Sequence, residues 1–198
     1  YDYVRPITAI RYMASLGQSS YPEQPSYHPN GISIQPGLVE LITEDSSKTD
    51  ERHANLTEHI GEIAVYSWLG KPDNPSDYSG VGWILGIEWI PYQRDTFVTP
   101  PFAGYISGHS TFSRAAAEVL TQFTGTKFYP GGMGEFVAPQ HEFLAFESGP
   151  SKELTLQWAT YYDSSDQAAI SRLYGGIHPR IDDIPGRLIG SQIGAEAY

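Results

Sequence analysis

The chain contains no cysteine. Disulfides, thiolate metal sites and a cysteine nucleophile are thereby excluded, although the absence fits a reducing or an oxidising compartment equally well. Basic residues are scarce: 12 Lys and Arg stand against 23 Asp and Glu, for a formal charge of −11. A phosphate backbone is bound by clustered Lys and Arg. The few present are scattered, so neither nucleic acid nor an anionic membrane surface is expected as a partner. Long hydrophobic runs are lacking too. None approaches the roughly 18 residues that a transmembrane helix needs, which predicts a soluble domain with no membrane span. No signal peptide is visible, because the chain starts on Tyr1 and its first residues already read as ordered helix.

At 198 residues, one domain with a sizeable core is the default. Val4, Ile7, Ile10, Met13 and Leu16 recur at helical spacing, with Arg5 inside this first helix, Pro6 near its first turn and Gly17 as its stop. Residues 19–50 are rich in Pro, Ser, Asn and Asp and read as loop, with a turn of helix at 36–41. A second helix is predicted over 52–69, where Leu56, Ile60, Ile63, Ala64 and Leu69 share one face before Gly70. A third follows Ser107; Phe112, Ala115, Ala116, Val119, Leu120 and Phe123 form its buried face, and Gly125 closes it. Alternation on both sides of Ser148–Ser151 predicts a β-hairpin with strands near 141–147 and 152–158. Helix resumes from about Ala159 to Tyr174, and a last helix after Pro179 carries an apolar stripe of Ile181, Ile184, Leu188 and Ile193.

Three short segments carry chemistry. In "YISGHSTF" the amides of Gly108 and His109 fall at a helix start, where free N–H groups and the positive dipole end suit an oxyanion. Gly108 lets the backbone approach closely, Ser107 adds a hydroxyl, and His109 can exchange a proton near neutral pH. The structural alternative is an N-cap in which the Ser and Thr hydroxyls satisfy the helix's own amides. In "SRLYGGIHPRIDD" Arg172 ends one helix, His178 heads the next, and Asp182 lies one turn on, able to hold a ring N–H of His178. The opening "VRP" adds Arg5, and Arg5 and Arg172 both carry fork-shaped donors suited to a tetrahedral anion. The remaining histidines, His28, His53, His59 and His141, have no partner at ligand spacing and read as solvated or capping residues.

Taken together and in order, Arg5-Pro6, then Ser107-Gly108-His109, then Ser171, Arg172, Gly176, His178 and Asp182 resemble the motifs of the vanadium-dependent haloperoxidases and the related type 2 phosphatidic acid phosphatase superfamily. "PPFAGYISGHSTF" is closer to the haloperoxidase branch, and Phe102 then matches a phenylalanine near its halide site. Two departures stand out: Ile106 replaces the usual proline before Ser-Gly-His, and the lysine that opens the family's first motif, seven residues before Arg5, would lie off this chain.

The resemblance implies a mainly α helical bundle of the vanadium haloperoxidase/acid phosphatase type, with a small β-hairpin near 141–158. Residues 1–198 would be the C-terminal catalytic half, and the N-terminal helices missing from this chain could lie on a separate, cleaved piece. It implies vanadate as cofactor, with His178 as the vanadium ligand and Arg5, Ser107, Gly108 and Arg172 holding its oxygens. His109 would act as acid and base, Asp182 would orient His178, and hydrogen peroxide, a halide and an organic acceptor would be the substrates. The alternative is a soluble acid phosphatase, in which phosphate occupies the same site and His178 forms a phosphohistidine. A non-catalytic scaffold is the third reading, disfavoured because a scaffold needs no such convergence of residues. A secreted or periplasmic location is expected by analogy with the family.

Overall fold

A computed structural model describes residues 3–198, so the part of the first-helix expectation resting on Tyr1 and Asp2 lies outside the described residues. The chain divides into two compact units. One comprises Pro6–Lys71 and Ser79–Pro91; the other comprises Tyr92–Tyr198, Pro72–Tyr78 and the N-terminal residues up to Arg5.

In the first unit, α1 spans Pro6–Leu16. Pro6 opens it, as a ring with fixed φ and no N–H can, so Arg5 precedes the helix instead of lying within it. A three-stranded antiparallel sheet follows, β1 (Val39–Leu41), β2 (Ile63–Trp68) and β3 (Val81–Leu85), in that order. Its register sets Val39 opposite Val65 and Ala64 opposite Leu85. Two predicted helices are corrected here. The turn of helix expected at 36–41 is a non-helical turn at 36–38 followed by β1, and the helix expected over 52–69 is a 3-10 segment, Ala54–His59, followed by β2. Gly61, at φ +92, breaks any continuous helix there. Beyond it Ile63, Val65, Tyr66 and Trp68 are the β-branched and aromatic types that a half-buried pleated surface accepts. Ala14, Ile32, Ile63 and Val65 form the core of this unit, with Ile42, Ala64 and Leu85 beside it.

His53 is a further correction: it is fully buried, not solvated. Its Nδ1 lies 2.8 Å from Ser46 Oγ and its ring stands edge-on to Trp83 at 4.7 Å. Burial pushes its pKa down, against the opposing pull of Glu40. Ser46 Oγ is itself bonded within its turn to Thr43 and Ser46 is buried, so the pair serves packing.

The second unit is built on α2 (Gly108–Thr124), α3 (Tyr161–Tyr174) and α4 (Arg180–Ala197). Each boundary has a local cause. Gly125 ends α2 in the left-handed conformation at φ 71, and Thr160 with Asp163 forms a complete capping box on α3. Pro179 supplies the N-cap of α4. The hairpin exists, but its first strand is misplaced in the expectation. β4 (Gly134–Ala138) pairs with β5 (Leu154–Trp158), setting Phe136 opposite Leu156, while 141–147 lies in the connecting loop. The alternation in "HEFLAFE" has another origin: Phe143 packs on Phe136 and Phe146 on Tyr92, and the N–H groups of His141, Phe143 and Leu144 donate to the Gly149–Pro150 turn.

Helices α2 and α4 meet through small residues. A Cβ on Gly190 would stand 2.3 Å from the Thr111 carbonyl oxygen, and one on Gly194 2.5 Å from that of Ala115. The row Gly186, Gly190, Gly194 therefore lets two backbones approach closely. It also turns the expected apolar faces outward: Phe112, Leu120 and Phe123 of α2 and Ile181, Ile184, Leu188 and Ile193 of α4 are exposed, and Ala116 with them. The buried face expected for α2 is corrected accordingly.

Candidate active site

The first turn of α2 begins as the sequence predicts. Ser107 is the N-cap, fully buried, and its Oγ accepts a long 3.4 Å bond from the Ser110 N–H. The capping role is thus real. The N–H of Gly108, however, has no hydrogen-bond partner among the described residues, and a Cβ there would touch only the Phe112 ring, at 3.6 Å. An unused amide at the positive end of a 17-residue helix is a donor for an anion.

Arg172 and His178 are joined by backbone geometry. The last carbonyl-bearing turn of α3 is capped from the following chain, since the N–H groups of Ile177 and His178 both donate to the Arg172 oxygen, at 3.0 and 3.3 Å. His178 then stands two residues before α4, and Asp182, in its first turn, reaches back: Asp182 Oδ2 is 2.6 Å from His178 Nδ1. Arg5 approaches from the N-terminal segment, with Nη1 at 3.0 Å from His178 Nε2 and Nε donating to the Phe102 carbonyl at 3.1 Å. An ionised carboxylate only accepts, so Nδ1 bears the proton that it donates to Asp182 and Nε2 bears the lone pair; the same Arg5 nitrogen lies 3.3 Å from Nδ1 and so sits against both ring nitrogens. The carboxylate thus sets the tautomer and leaves Nε2 as ligand or nucleophile.

Around His178 the guanidiniums of Arg5 and Arg172 outweigh the opposing charge of Asp183. Arg5 is 6 % exposed and forms no ion pair among the described residues, nor does Arg172, whose Nε is buried without an acceptor. Burial and the neighbouring guanidiniums of Arg5 and Arg172, with His109, push the His178 pKa down to about 4, so the imidazole is neutral at pH 7. His109, partly withdrawn from water although much of the residue is exposed, is lowered by that desolvation and by Arg172. Burial pushes the Asp182 carboxyl up to about 6, leaving it mainly ionised at neutral pH. Buried cations without counter-ions are costly, and a bound oxyanion relieves that cost.

Phe102 joins the group through Arg5, whose guanidinium carbon lies 5.2 Å from the ring centre; the ring itself is 69 % exposed. Arg5, Phe102, Ser107, Gly108, His109, Arg172, His178 and Asp182 thus all fall in the same unit. Three neighbours escaped the sequence reading: Ser110, Asp183 and Arg187. Ser110 Oγ donates to Asp183 Oδ1 at 2.8 Å, and Arg187 grips the same carboxylate with two bonds, at 2.8 and 2.9 Å. The doubled Asp after "HPRI" was the available signal, together with the i, i+4 spacing of Asp183 and Arg187.

A family model for the VCPO second helical-bundle domain matches residues 48–198. Among solved structures, the chain is similar to holo-type bacterial vanadium-dependent chloroperoxidase, with 20 % identity and a TM-score of 0.56 over 66 % of this chain and 25 % of that one. The apo-type bacterial chloroperoxidase aligns in the same way, at 21 % identity and a TM-score of 0.56, over 66 % of this chain and 26 % of that one. The chain thus spans about a quarter of the length of these structures. Comparison with curated proteins finds no match. The likeness to the solved structures is one of fold, and the family model covers most of the chain. The chain belongs to the vanadium haloperoxidase family.

Proposed function

We propose that the intact protein is a vanadate-dependent haloperoxidase. The supporting observation is the pair of guanidiniums, without carboxylate partners, set around an imidazole nitrogen that bears a lone pair. The donor set suits a tetrahedral oxyanion: the Arg172 Nε lacks an acceptor, and the Gly108 N–H lacks one among the described residues. Arg5, Arg172, Ser107 and Gly108 would hold the oxygens of vanadate, and His178 Nε2 the metal. When bound, vanadate would supply the Lewis acidity through which hydrogen peroxide, with one proton taken from solvent, removes two electrons from a halide to give a hypohalous acid and water.

The chain's own residues prepare that chemistry. Asp182 keeps His178 in the tautomer that presents Nε2, and the cationic surroundings keep it neutral. The guanidiniums and the helix amide stay in place as charge shifts on the anion, so no reorganisation is needed during reaction. His109 would accept a proton from hydrogen peroxide and give one up to an oxygen that leaves as water, a task that its lowered pKa, from burial and Arg172, favours on the accepting side. Phe102 covers one side of Arg5 and is the candidate halide contact.

The test is a paired assay on apo and vanadate-loaded protein: halogenation of a dye with peroxide and iodide, bromide or chloride, beside phosphate-ester hydrolysis. Vanadate-dependent halogenation that is abolished in His178→Ala is the expected result. Hydrolysis inhibited by vanadate, with no halogenation, would make the protein a phosphatase in which His178 Nε2 attacks phosphorus. Neither activity would revive the scaffold reading.

We also infer that residues 1–198 are the C-terminal catalytic part of a longer helical protein. The part of this chain that aligns covers only 25 % of the chloroperoxidase chain, and Phe112 and Phe123 on α2 are 77 % and 73 % exposed, as surfaces that other helices cover would be. Gel and intact-mass analysis of the native protein that found this fragment alone, folded and active, would overturn the inference.

A further inference from the structure

The dipeptide Asp182-Asp183 grips the first turn of α2 at two points while serving His178 at a third. The Asp182 carbonyl accepts from the Ser107 N–H at 3.1 Å, and the Asp182 carboxylate faces His178 at 2.6 Å. The Asp183 carboxylate accepts from Ser110 Oγ at 2.8 Å, in a bond buried on both sides. Close approach makes this possible: a Cβ on Gly186 would lie 3.0 Å from Ser110 Cβ and 3.1 Å from the Ser107 oxygen.

Asp183 is itself held. Arg187 binds both carboxylate oxygens, and its Nη1 lies 3.1 Å from Asp166 of α3, which in turn pairs with Arg114 of α2. The network joins α2, α3 and α4. Two geometric paths thus connect the His178 ring to the Gly108 amide and His109: the short backbone bond through Asp182, and the braced side-chain bond from Asp183 to Ser110. A single hydrogen bond leaves a hinge, whereas two that are three residues apart on α2 fix its rotation. Ser107, Gly108 and His109 lie within that span, so the second bond is placed to hold their orientation beyond what the glycine packing fixes.

We propose that Asp183 is a positioning residue for the oxyanion cradle, acting through Ser110 and braced by Arg187. The inference rests on the anion-site reading above. It is tested in the intact protein with Asp183→Ala, Ser110→Ala and the double variant, measuring the dissociation constants of orthovanadate and of inorganic phosphate by calorimetry. Thermal unfolding of each variant accompanies the titrations. Each single change is expected to weaken binding about tenfold, the scale seen when groups that orient ligands are removed. The double variant should bind no more weakly than the worse single, since both changes remove one bond.

Folded variants that bind both anions as the wild type does would overturn the positioning role and leave the functional reading standing. So would fully additive losses, which would mean that Ser110 and Asp183 act separately. A wild-type protein that binds neither anion would overturn both. If Asp183→Ala does not fold, Ser110→Ala, which deletes one hydroxyl and leaves the Arg187 pair intact, decides the matter alone.

Discussion

Asp182 and His178 respond to pH in opposite senses. Asp182 titrates at about 6 in the folded protein against an ordinary 3.8, so between those values the folded chain holds a proton that the unfolded chain has lost. Its contribution to stability falls as pH rises through that window. His178 titrates at about 4 against an ordinary 6.5, so the unfolded chain binds the extra proton and its contribution rises with pH over nearly the same range. The two slopes oppose. Asp182→Asn removes the first, and the melting temperature of that variant minus that of the wild type should therefore climb from pH 4 to pH 6; a difference that is flat or falls contradicts the assignment. On the proposed haloperoxidase reading, Phe102→Ala in the vanadate-loaded protein is expected to raise the KM for halide several-fold with a smaller change in kcat, because the ring packs on Arg5 and carries no proton. Steady-state kinetics with bromide and iodide would check this.

The packing of α4 on α2 rests on glycine. Gly190→Ala places a methyl group against the Thr111 carbonyl and the Arg114 side chain, and the helices must separate to admit it. The expected cost is about 1–3 kcal/mol, the usual scale for overpacking, read by urea denaturation. Because the same contact carries the Ser107 and Ser110 bonds, anion affinity should fall with it. Element ends were largely legible in the sequence: Gly125, Thr160 and Pro179 mark them by local chemistry alone. The strands were not. The periodicity of residues 52–69 fits a helix on paper, but Gly61 and the pairing of β2 with both β1 and β3 override it. Likewise the alternation over 141–147 reflects aromatic contacts within a loop, while Leu154–Trp158 found its partner at Gly134–Ala138.

Over the whole molecule, acidic charge and exposed aromatic surface coexist. The formal charge of −11 keeps copies apart, whereas the outward faces of α2 and α4 present Phe112, Phe123, Leu188 and Ile193 to solvent. For the isolated chain, replacing Phe112 and Phe123 by serine should lower self-association in sedimentation velocity, most clearly at high salt where charge repulsion is screened. Stability should move by no more than about 0.5 kcal/mol, as for ordinary surface positions. In the intact protein the same pair should instead destabilise, if other helices cover these faces; comparing the two melting shifts separates the cases. No helix among the described residues is long and apolar enough to cross a membrane.

By itself the sequence marked the candidate site residues and where the three helices around them begin and end, because caps, stops and short motifs act within a few residues. The tertiary structure decided what distance along the chain conceals. Arg5 meets His178 across 173 residues, and Ser110 meets Asp183 across 73. It also decided which helix faces turn inward. Periodicity marks an apolar stripe but not what it packs against, and here a row of glycines on α4 set that choice by allowing two backbones closer than any side chain would permit.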